Sequence, residues 1–330
     1  MTKTSVKIDI PLSANGKHVG YARLPHSVHR SAYGWLPIPL VSIRNGDGPV
    51  VLLMAGTHGD EYEGQVTLTR LIQQFEPESI SGQIIVLPMA NYPAALAGLR
   101  TSPIDGANLN RIYPGDAHGS VSEVIAHFIE TELFSRADVV LDLHSGGTSL
   151  NYLPSSVTLA ADDTALLEQS KQLMRLFGAP YGVVFEGRAG IGSSYDAALR
   201  NKIIRIGTEL GGRAWVNPAY RQICEDGVLR ILGHFGVINT VDIPQPPEVR
   251  FVKVAAKSFV YATAEGIFEA AVSLGDNVKA GDLAGKIYFP ATPLRPAEHI
   301  HFDDDGMVIC ERAVASCQTG DCLFHLGKPE

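Results

Sequence analysis

Short apolar runs alternate with helix-like segments through the middle of the chain. The run Val50–Ala55 is entirely apolar, and similar runs occupy residues 83–87, 138–143 and 202–206. Runs of this length are typical of strands buried on both faces, and intervening helices allow such strands to pair in parallel. The pattern therefore predicts an α/β fold with a mixed, mostly parallel sheet flanked by helices.

The segments around these strands complete the prediction. Helices are expected over the ranges 61–75, about 121–134, 161–177 and 218–235. The first 48 residues contain several prolines and an Asn-Gly-Asp-Gly turn, which favour strands and turns over long helices.

The C-terminal part of the chain differs in character from the rest. Three prolines lie within residues 241–249, which predicts a linker. Residues 250–330 have an all-β character and a faint internal repeat, in which Gly-Asp pairs recur at Gly281 and Gly320. With 330 residues the chain exceeds one ordinary core. We therefore predict a large domain over 1–240 and a smaller barrel-sandwich-like domain after the linker.

Composition excludes several classes of partner. The chain is 45% apolar and 19% charged, with a net charge of −8 and no basic run, so nucleic acid is not expected as a partner. No apolar segment is long enough to span a bilayer or to act as a secretory signal, so no membrane partner and a cytoplasmic location are expected. A homo-oligomer is left open.

Polar side chains follow three of the predicted strands directly. His58 and Glu61 follow the first, His144 the third and Glu209 the fourth. Ligands of open α/β sheets bind beyond the carboxyl ends of the strands, so these four side chains are expected near one another.

Two histidines and a glutamate form the ligand set of a catalytic zinc site. Such sites use three protein ligands and leave the fourth position for water, whereas structural sites are closed by four ligands that usually include Cys. A lone histidine is more often an ordinary polar residue, but His58, Glu61 and His144 together predict one Zn²⁺ per chain. Glu209 is then the expected general base, which takes a proton from the water and later gives it to the leaving amine.

The Gly- and Pro-rich loop between these elements carries candidate substrate-binding residues. Asn110 and Arg111 are expected to bind a carboxylate, the guanidinium through a bidentate fork. Arg100 is a candidate for stabilising the oxyanion. Arg205 and Arg213 remain alternatives for the carboxylate clamp.

Four short motifs carry a resemblance to a known family. They are His58-Gly-Asp-Glu61, Asn108-Leu-Asn110-Arg111, Asp142-Leu-His144 and Thr208-Glu209. In this order, over about residues 50–212, they resemble the succinylglutamate desuccinylase/aspartoacylase branch of the zinc carboxypeptidase superfamily. The resemblance implies a zinc-carboxypeptidase-like fold, zinc on the two histidines and Glu61, Glu209 as the acid/base residue, and Asn110 and Arg111 on the substrate α-carboxylate. The family loop usually begins with Asp, where this chain has Asn108.

Residues 26–35 and 53–64 resemble the members of this family that remove acetate from Nα-acetyl-L-2,4-diaminobutyrate in ectoine degradation. The resemblance implies that the substrate is a small N-acyl amino acid with a cationic side chain, which would need an acidic residue in the pocket. The candidates are Asp105, Asp116, Glu186 and Asp196.

The C-terminal domain is similar to biotinyl- and lipoyl-type barrels, but residues 288–302 contain no lysine to modify. A lid or interface role near the zinc site is therefore favoured over cofactor carrying. The remaining alternatives for the whole chain are a succinylglutamate or N-acetylaspartate type of deacylase, a peptide carboxypeptidase, and a metal- or metabolite-binding protein without turnover.

Overall fold

The computed structural model describes residues 4–160, 163–186, 191–239 and 243–330. The strands of this part are β1 (Lys7–Ile8), β2 (Gly16–Pro25), β3 (Trp35–Asn45), β4 (Val50–Ala55), β5 (Gly82–Leu87), β6 (Val139–Leu143), β7 (Leu150–Tyr152), β8 (Ser155–Leu159), β9 (Tyr181–Phe185), β10 (Ile204–Glu209), β11 (Arg250–Val254), β12 (Phe259–Tyr261), β13 (Gly266–Ala270), β14 (Asn277–Val278), β15 (Leu283–Tyr288), β16 (Glu298–His301), β17 (Gly306–Arg312), β18 (Ser316–Cys317) and β19 (Cys322–Pro329).

The helices of the described part are α1 (Tyr62–Gln74), α2 (Tyr92–Ala97), α3 (Val121–Phe128), α4 (Thr164–Phe177), α5 (Ser194–Asn201) and α6 (Pro218–His234). A π-helical turn continues α3 over Ile129–Leu133. Short 3₁₀ turns occupy Pro77–Ser79, Leu109–Arg111, Phe134–Arg136 and Ala256–Ser258. None of the described helices is long and apolar enough to cross a membrane.

One large mixed sheet organises the molecule. Its strands follow the order β1-β2-β3-β5-β4-β6-β10-β8-β9-β11-β19-β17-β14, and β12 and β7 pair with β19 and β17. The central strands β5, β4, β6 and β10 are parallel, as are β8, β9 and β11. A separate antiparallel sheet has the order β16-β15-β13-β18.

Two apolar layers cover the two faces of the large sheet. Because side chains alternate along a strand, Leu52 and Met54 point into one cluster and Val51 and Leu53 into the other. The first cluster contains α3 and α5, and the second is closed by α1, α4 and α6. The parallel strands are therefore covered on both sides, as continuous apolar runs require.

The mixed α/β class predicted from the sequence is confirmed, and the strand at Val50–Ala55 has the predicted bounds. Three features differ. The outer strands pair antiparallel, and so do β10 and β8 in the middle of the sheet, so the sheet is less parallel than predicted. The strand expected at 202–206 lies at Ile204–Glu209, so Glu209 ends this strand instead of following it. The helix expected over 161–177 begins at Thr164, and residues 161–162 lie outside the described part.

Strands of the C-terminal part pair with strands of the preceding part at two places in the large sheet. β11 pairs in parallel with β9, and β17 pairs antiparallel with β7, where Cys310 is opposite Tyr152. The second sheet encloses a small core of its own. The domain boundaries predicted above stay a prediction, and residues 240–242, where the first of them falls, lie outside the described part.

Candidate metal centre and active site

The turn after β4 and the turn after β6 bring three potential metal ligands together. β4 and β6 are parallel neighbours, so their carboxyl ends lie side by side. His58 lies in the turn before α1, Glu61 immediately precedes that helix, and His144 directly follows β6. Gly59 allows the turn to approach α2 closely, because a Cβ there would lie 2.1 Å from the carbonyl oxygen of Ala94.

Glu61 lies between the two histidines. Its Oε1 is 2.7 Å from His58 Nδ1, and its Oε2 is 2.8 Å from His144 Nδ1. One ligand atom from each residue lies within 4.8 Å of the others, and all three side chains are buried. Two imidazole nitrogens and a carboxylate therefore converge on one point, as a metal site requires.

The other ring nitrogens of both histidines face oxygen atoms. His144 Nε2 is 3.0 Å from Asp142 Oδ2, and His58 Nε2 is 3.1 Å from Asn108 Oδ1. Metal-binding histidines commonly have such outer partners, which fix the orientation of the ring and turn the other nitrogen towards the ion. The amide oxygen of Asn108 can serve as this partner in place of the usual carboxylate. The residues present thus fit a zinc ion in both ligand type and orientation.

Asp142 is itself held by a buried network. It accepts hydrogen bonds from Thr57 Oγ1 at 2.9 Å, Ser194 Oγ at 2.5 Å and Arg205 Nη2 at 3.1 Å. Burial acts to raise the pKa of Asp142, but His144 and Arg205 lower it well below its ordinary value. Asp142 is therefore a fixed negative charge behind His144.

Glu209 ends β10 beside this cluster. Its Oε2 is buried and has no hydrogen-bond partner in the part of the chain that the structure describes. Burial, together with the neighbouring charge of Glu61, raises the pKa of Glu209 to about 8. An unpartnered buried carboxyl group with a raised pKa is suited to exchanging protons with a substrate.

The loop residues predicted from the sequence approach the cluster to different degrees. Arg100 Nη1 lies 3.4 Å from both Glu61 Oε1 and His58 Nδ1. Asn110 Oδ1 accepts from the backbone N–H of Ser194 at 2.9 Å, so its amide NH₂ stays available. The Arg111 guanidinium donates to the carbonyl oxygen of Asn110 at 2.7 Å.

These side chains line a cavity of about 310 Å³. The described residues that line it are His58, Arg100, Asn110, Arg111, His144, Leu150, Tyr152, Val157, Leu159, Phe185, Ser193, Tyr195, Arg205, Glu209, Phe259 and His325. Five aromatic or imidazole side chains in this set were not identified from the sequence. They come from distant segments, including β12 and β19 of the C-terminal part, and carry no local motif that marks them.

Comparison with known proteins decides the family of this chain. Residues 47–235 match the model of the succinylglutamate desuccinylase/aspartoacylase catalytic domain. The chain belongs to the succinylglutamate desuccinylase/aspartoacylase family. Members of this family are amide-bond hydrolases that act on N-acyl amino acids, so the chain is an enzyme of this class and not a binding protein without turnover.

Relatives extend over nearly the whole chain. The N-alpha-acetyl-L-2,4-diaminobutyric acid deacetylase of Halomonas elongata is 36% identical over 322 residues, which are 96% of this chain and 93% of that protein. The product-bound structure of the ectoine utilization protein EutE (DoeB) from Ruegeria pomeroyi has a TM-score of 0.95 at 34% identity and covers 99% of each chain. A succinylglutamate desuccinylase/aspartoacylase structure from Rhodobacter sphaeroides has a TM-score of 0.92 at 33% identity, covering 99% of this chain and 100% of that one.

The four acidic residues suggested from the sequence as partners for a cationic side chain do not line the cavity of this chain. Asp105 accepts from the backbone N–H and hydroxyl of Ser122, and Asp196 accepts from the backbone N–H of Gly192. Asp116 and Glu186 are also absent from the described lining residues. Glu209 is the single acid among those residues.

The two alternative clamp arginines also differ in position. Arg205 lines the cavity, but one of its Nη atoms is bound to Asp142. Arg213 is more than half exposed, donates to Glu311 Oε1 at 2.7 Å, and is not a lining residue.

Proposed function

We propose that this chain is a zinc-dependent deacylase that hydrolyses Nα-acetyl-L-2,4-diaminobutyrate to 2,4-diaminobutyrate and acetate. The observation that carries the chemistry is the buried cluster of His58, Glu61 and His144 with Glu209 beside it on the cavity wall. The substrate is suggested by the similarity over nearly the full chain to the Halomonas elongata deacetylase.

His58, Glu61 and His144 would hold one zinc ion per chain. A zinc ion with three protein ligands acts as a Lewis acid and lowers the pKa of water at its open position. Glu209 would accept a proton from the attacking water and deliver it to the nitrogen of the leaving amine. Arg100, whose guanidinium lies next to the cluster, would donate to the oxygen that develops negative charge on the acyl carbon.

Asn110 and Arg111 would orient the amino acid by its α-carboxylate. The side-chain amide oxygen of Asn110 already accepts a hydrogen bond from the Ser194 backbone N–H. The side-chain NH₂ group of Asn110 is therefore the part left to donate to a ligand. Burial lowers the pKa of Arg111, yet an arginine stays charged in proteins. A partly desolvated guanidinium beside an amide donor matches a carboxylate.

A substrate panel tests this function. Purified enzyme with equimolar zinc would be offered Nα-acetyl-L-2,4-diaminobutyrate, N-acetylaspartate, N-succinylglutamate and a blocked dipeptide, with release of free amine or carboxylate product as the readout. We expect the highest kcat/KM on the diaminobutyrate derivative. A higher kcat/KM on either anionic substrate would assign the chain to another deacylase activity, and a higher value on the dipeptide would make it a carboxypeptidase.

Arg111→Ala should lower kcat/KM for substrates that carry a free α-carboxylate much more than for the corresponding α-amides. A guanidinium–carboxylate contact is charge-assisted and bidentate, about twice as strong as a neutral hydrogen bond, and an amide cannot replace it. Arg111→Lys should restore little, because an ammonium lacks the planar fork. The measurement is kcat/KM for Nα-acetyl-L-2,4-diaminobutyrate and its α-amide in wild type and variants.

Arg213→Ala serves as the control for that experiment, because Arg213 lies outside the cavity lining and pairs with Glu311. Arg213→Ala should leave the ratio of kcat/KM between the two substrates unchanged. If Arg111→Ala lowered kcat/KM equally for the α-carboxylate substrate and its α-amide, the group that binds the carboxylate would lie elsewhere, and Arg205 would be the next candidate.

Asp142→Asn should weaken zinc binding by about 10- to 100-fold, the usual effect of losing the outer partner of a metal-binding histidine. The isosteric amide keeps the space filled but removes the negative charge facing His144 Nε2. Zinc affinity would be measured by competition with a chromogenic chelator, and circular dichroism would confirm that the variant is folded. Asp138→Asn, at the opposite end of the same strand region, is the matched control, and equal zinc affinity in both variants would contradict the expected role.

A further inference from the structure

One part of the cavity wall is aromatic, and the C-terminal segment supplies half of it. It consists of Tyr152, Phe185, Phe259 and His325, which together we call the aromatic wall. His325 lies at its centre, with ring-centroid distances of 4.2 Å to Phe259, 5.4 Å to Tyr152 and 6.4 Å to Phe185. Tyr152 and Phe185 meet His325 edge-on. The imidazole is thus fixed by packing on three sides.

The imidazole of His325 is neutral at physiological pH. Burial among these rings lowers the pKa of His325 to about 3. Its Nδ1 lies 3.2 Å from the Tyr152 hydroxyl, and Nε2 has no hydrogen-bond partner among the residues that the structure describes. In the tautomer whose Nδ1–H donates to the Tyr152 hydroxyl, Nε2 presents a lone pair as an acceptor.

The rest of the cavity is unfavourable for a cationic group. Arg100, Arg111 and Arg205 all line it; Arg205 pairs with Asp142 and Arg100 with Glu61, whereas Arg111 has no ion pair among the residues that the structure describes. Glu209, the single acid among the described lining residues, is reserved for proton transfer in the proposed function. A side-chain ammonium near the unpaired guanidinium of Arg111 would be repelled, so a position away from that group is needed.

We propose that the aromatic wall recognises the side-chain ammonium of the substrate, through the ring faces of Phe259 and Phe185 and the Nε2 lone pair of His325. Cations bind to the electron-rich faces of aromatic rings, most strongly where both are desolvated. The inference rests on the proposed function and deepens it by naming the residues that set side-chain specificity.

The aromatic wall also discriminates against other substrates of the same family. The negative ring faces and the Nε2 lone pair disfavour the second carboxylate of an aspartate or glutamate derivative. Recognition by neutral groups therefore favours a cationic side chain and needs no acid among the described lining residues besides Glu209.

The test compares two isosteric substrates, Nα-acetyl-L-2,4-diaminobutyrate and Nα-acetyl-L-norvaline, whose side chains differ only in a terminal ammonium or methyl group. The wild type should prefer the cationic substrate. Phe259→Leu and His325→Phe should each reduce that preference by about 3- to 30-fold, the range of a single cation–π or comparable polar contact. The change should be in KM for the cationic substrate, with kcat nearly unchanged on both.

Two further measurements keep the result decisive. Tyr288→Leu removes an exposed aromatic side chain of the same C-terminal region outside the cavity, and should leave the preference unchanged. Calorimetric binding of free 2,4-diaminobutyrate and norvaline to wild type and variants reports recognition without turnover, so it remains informative if the enzyme hydrolyses neither acetyl derivative. Tighter binding of diaminobutyrate that the variants lose would support the aromatic wall even then.

Three outcomes would overturn the inference. If the Phe259 and His325 variants lost kcat/KM equally on both substrates, the aromatic wall would only shape the cavity. A wild-type preference for norvaline in binding and turnover would show an apolar subsite. A change in preference between N-acetyl and N-propionyl substrates, with side-chain preference intact, would mean that the wall holds the acyl group.

Discussion

His144→Ala should remove both the zinc and the activity of this enzyme. The side chain supplies one of three expected ligands from a buried position, and alanine leaves two ligands and a cavity in which no other described residue replaces Nδ1. His58→Ala should have the same effect for the same reason. Metal content of protein purified with zinc, determined by plasma emission spectroscopy, should fall from about one per chain in wild type to almost none.

His234→Ala is the matched control, because His234 is an exposed histidine at the end of α6 and is not one of the lining residues of the cavity. Its zinc content and kcat/KM should equal those of wild type. Full zinc occupancy in both His58→Ala and His144→Ala, with folded protein by circular dichroism, would show that the ion is held elsewhere.

Glu209→Gln should reduce kcat by roughly 10²- to 10⁴-fold while zinc stays bound. Glutamine occupies the same volume but can neither accept the proton of the attacking water nor return one to the leaving amine. The carboxylate is not part of the three-residue cluster, so metal content should remain at the wild-type level. Substrate binding should also change little, which places the effect in kcat and not in KM.

Metal analysis and steady-state kinetics on the same preparation separate this role from the alternatives. Loss of zinc together with activity would make Glu209 a ligand. A variant with wild-type kcat would assign proton transfer to another group on the cavity wall. Glu168→Gln, the same change at an exposed position of α4, controls for the loss of one negative charge.

The sequence grouped the candidate metal ligands because their positions follow from local rules. Apolar runs locate the buried strands, and in an α/β sheet the side chains just beyond the carboxyl ends of such strands gather at one edge. His58, Glu61 and His144 could therefore be grouped without coordinates. The family followed from the same motifs and is confirmed over residues 47–235.

The part of the sheet outside these runs could not be predicted in the same way. Strands β7, β8 and β9 are short, and whether they pair in parallel depends on segments far away in the sequence. β10 extends to Glu209 because its last residues pair with β8, which is a tertiary contact and not a local preference.

What the sequence determined by itself was the class of chemistry, together with a candidate ligand set, a nearby carboxyl group, and a loop proposed to bind a carboxylate. What only the tertiary structure decided was the environment of the substrate side chain. The four acids suggested from the sequence lie outside the described cavity lining, while Phe259 and His325 are brought into it from the C-terminal part. The physical reason is that the candidate ligands lie just beyond the ends of buried strands, which local patterns locate, whereas a cavity wall is made by packing between segments whose meeting no local pattern encodes.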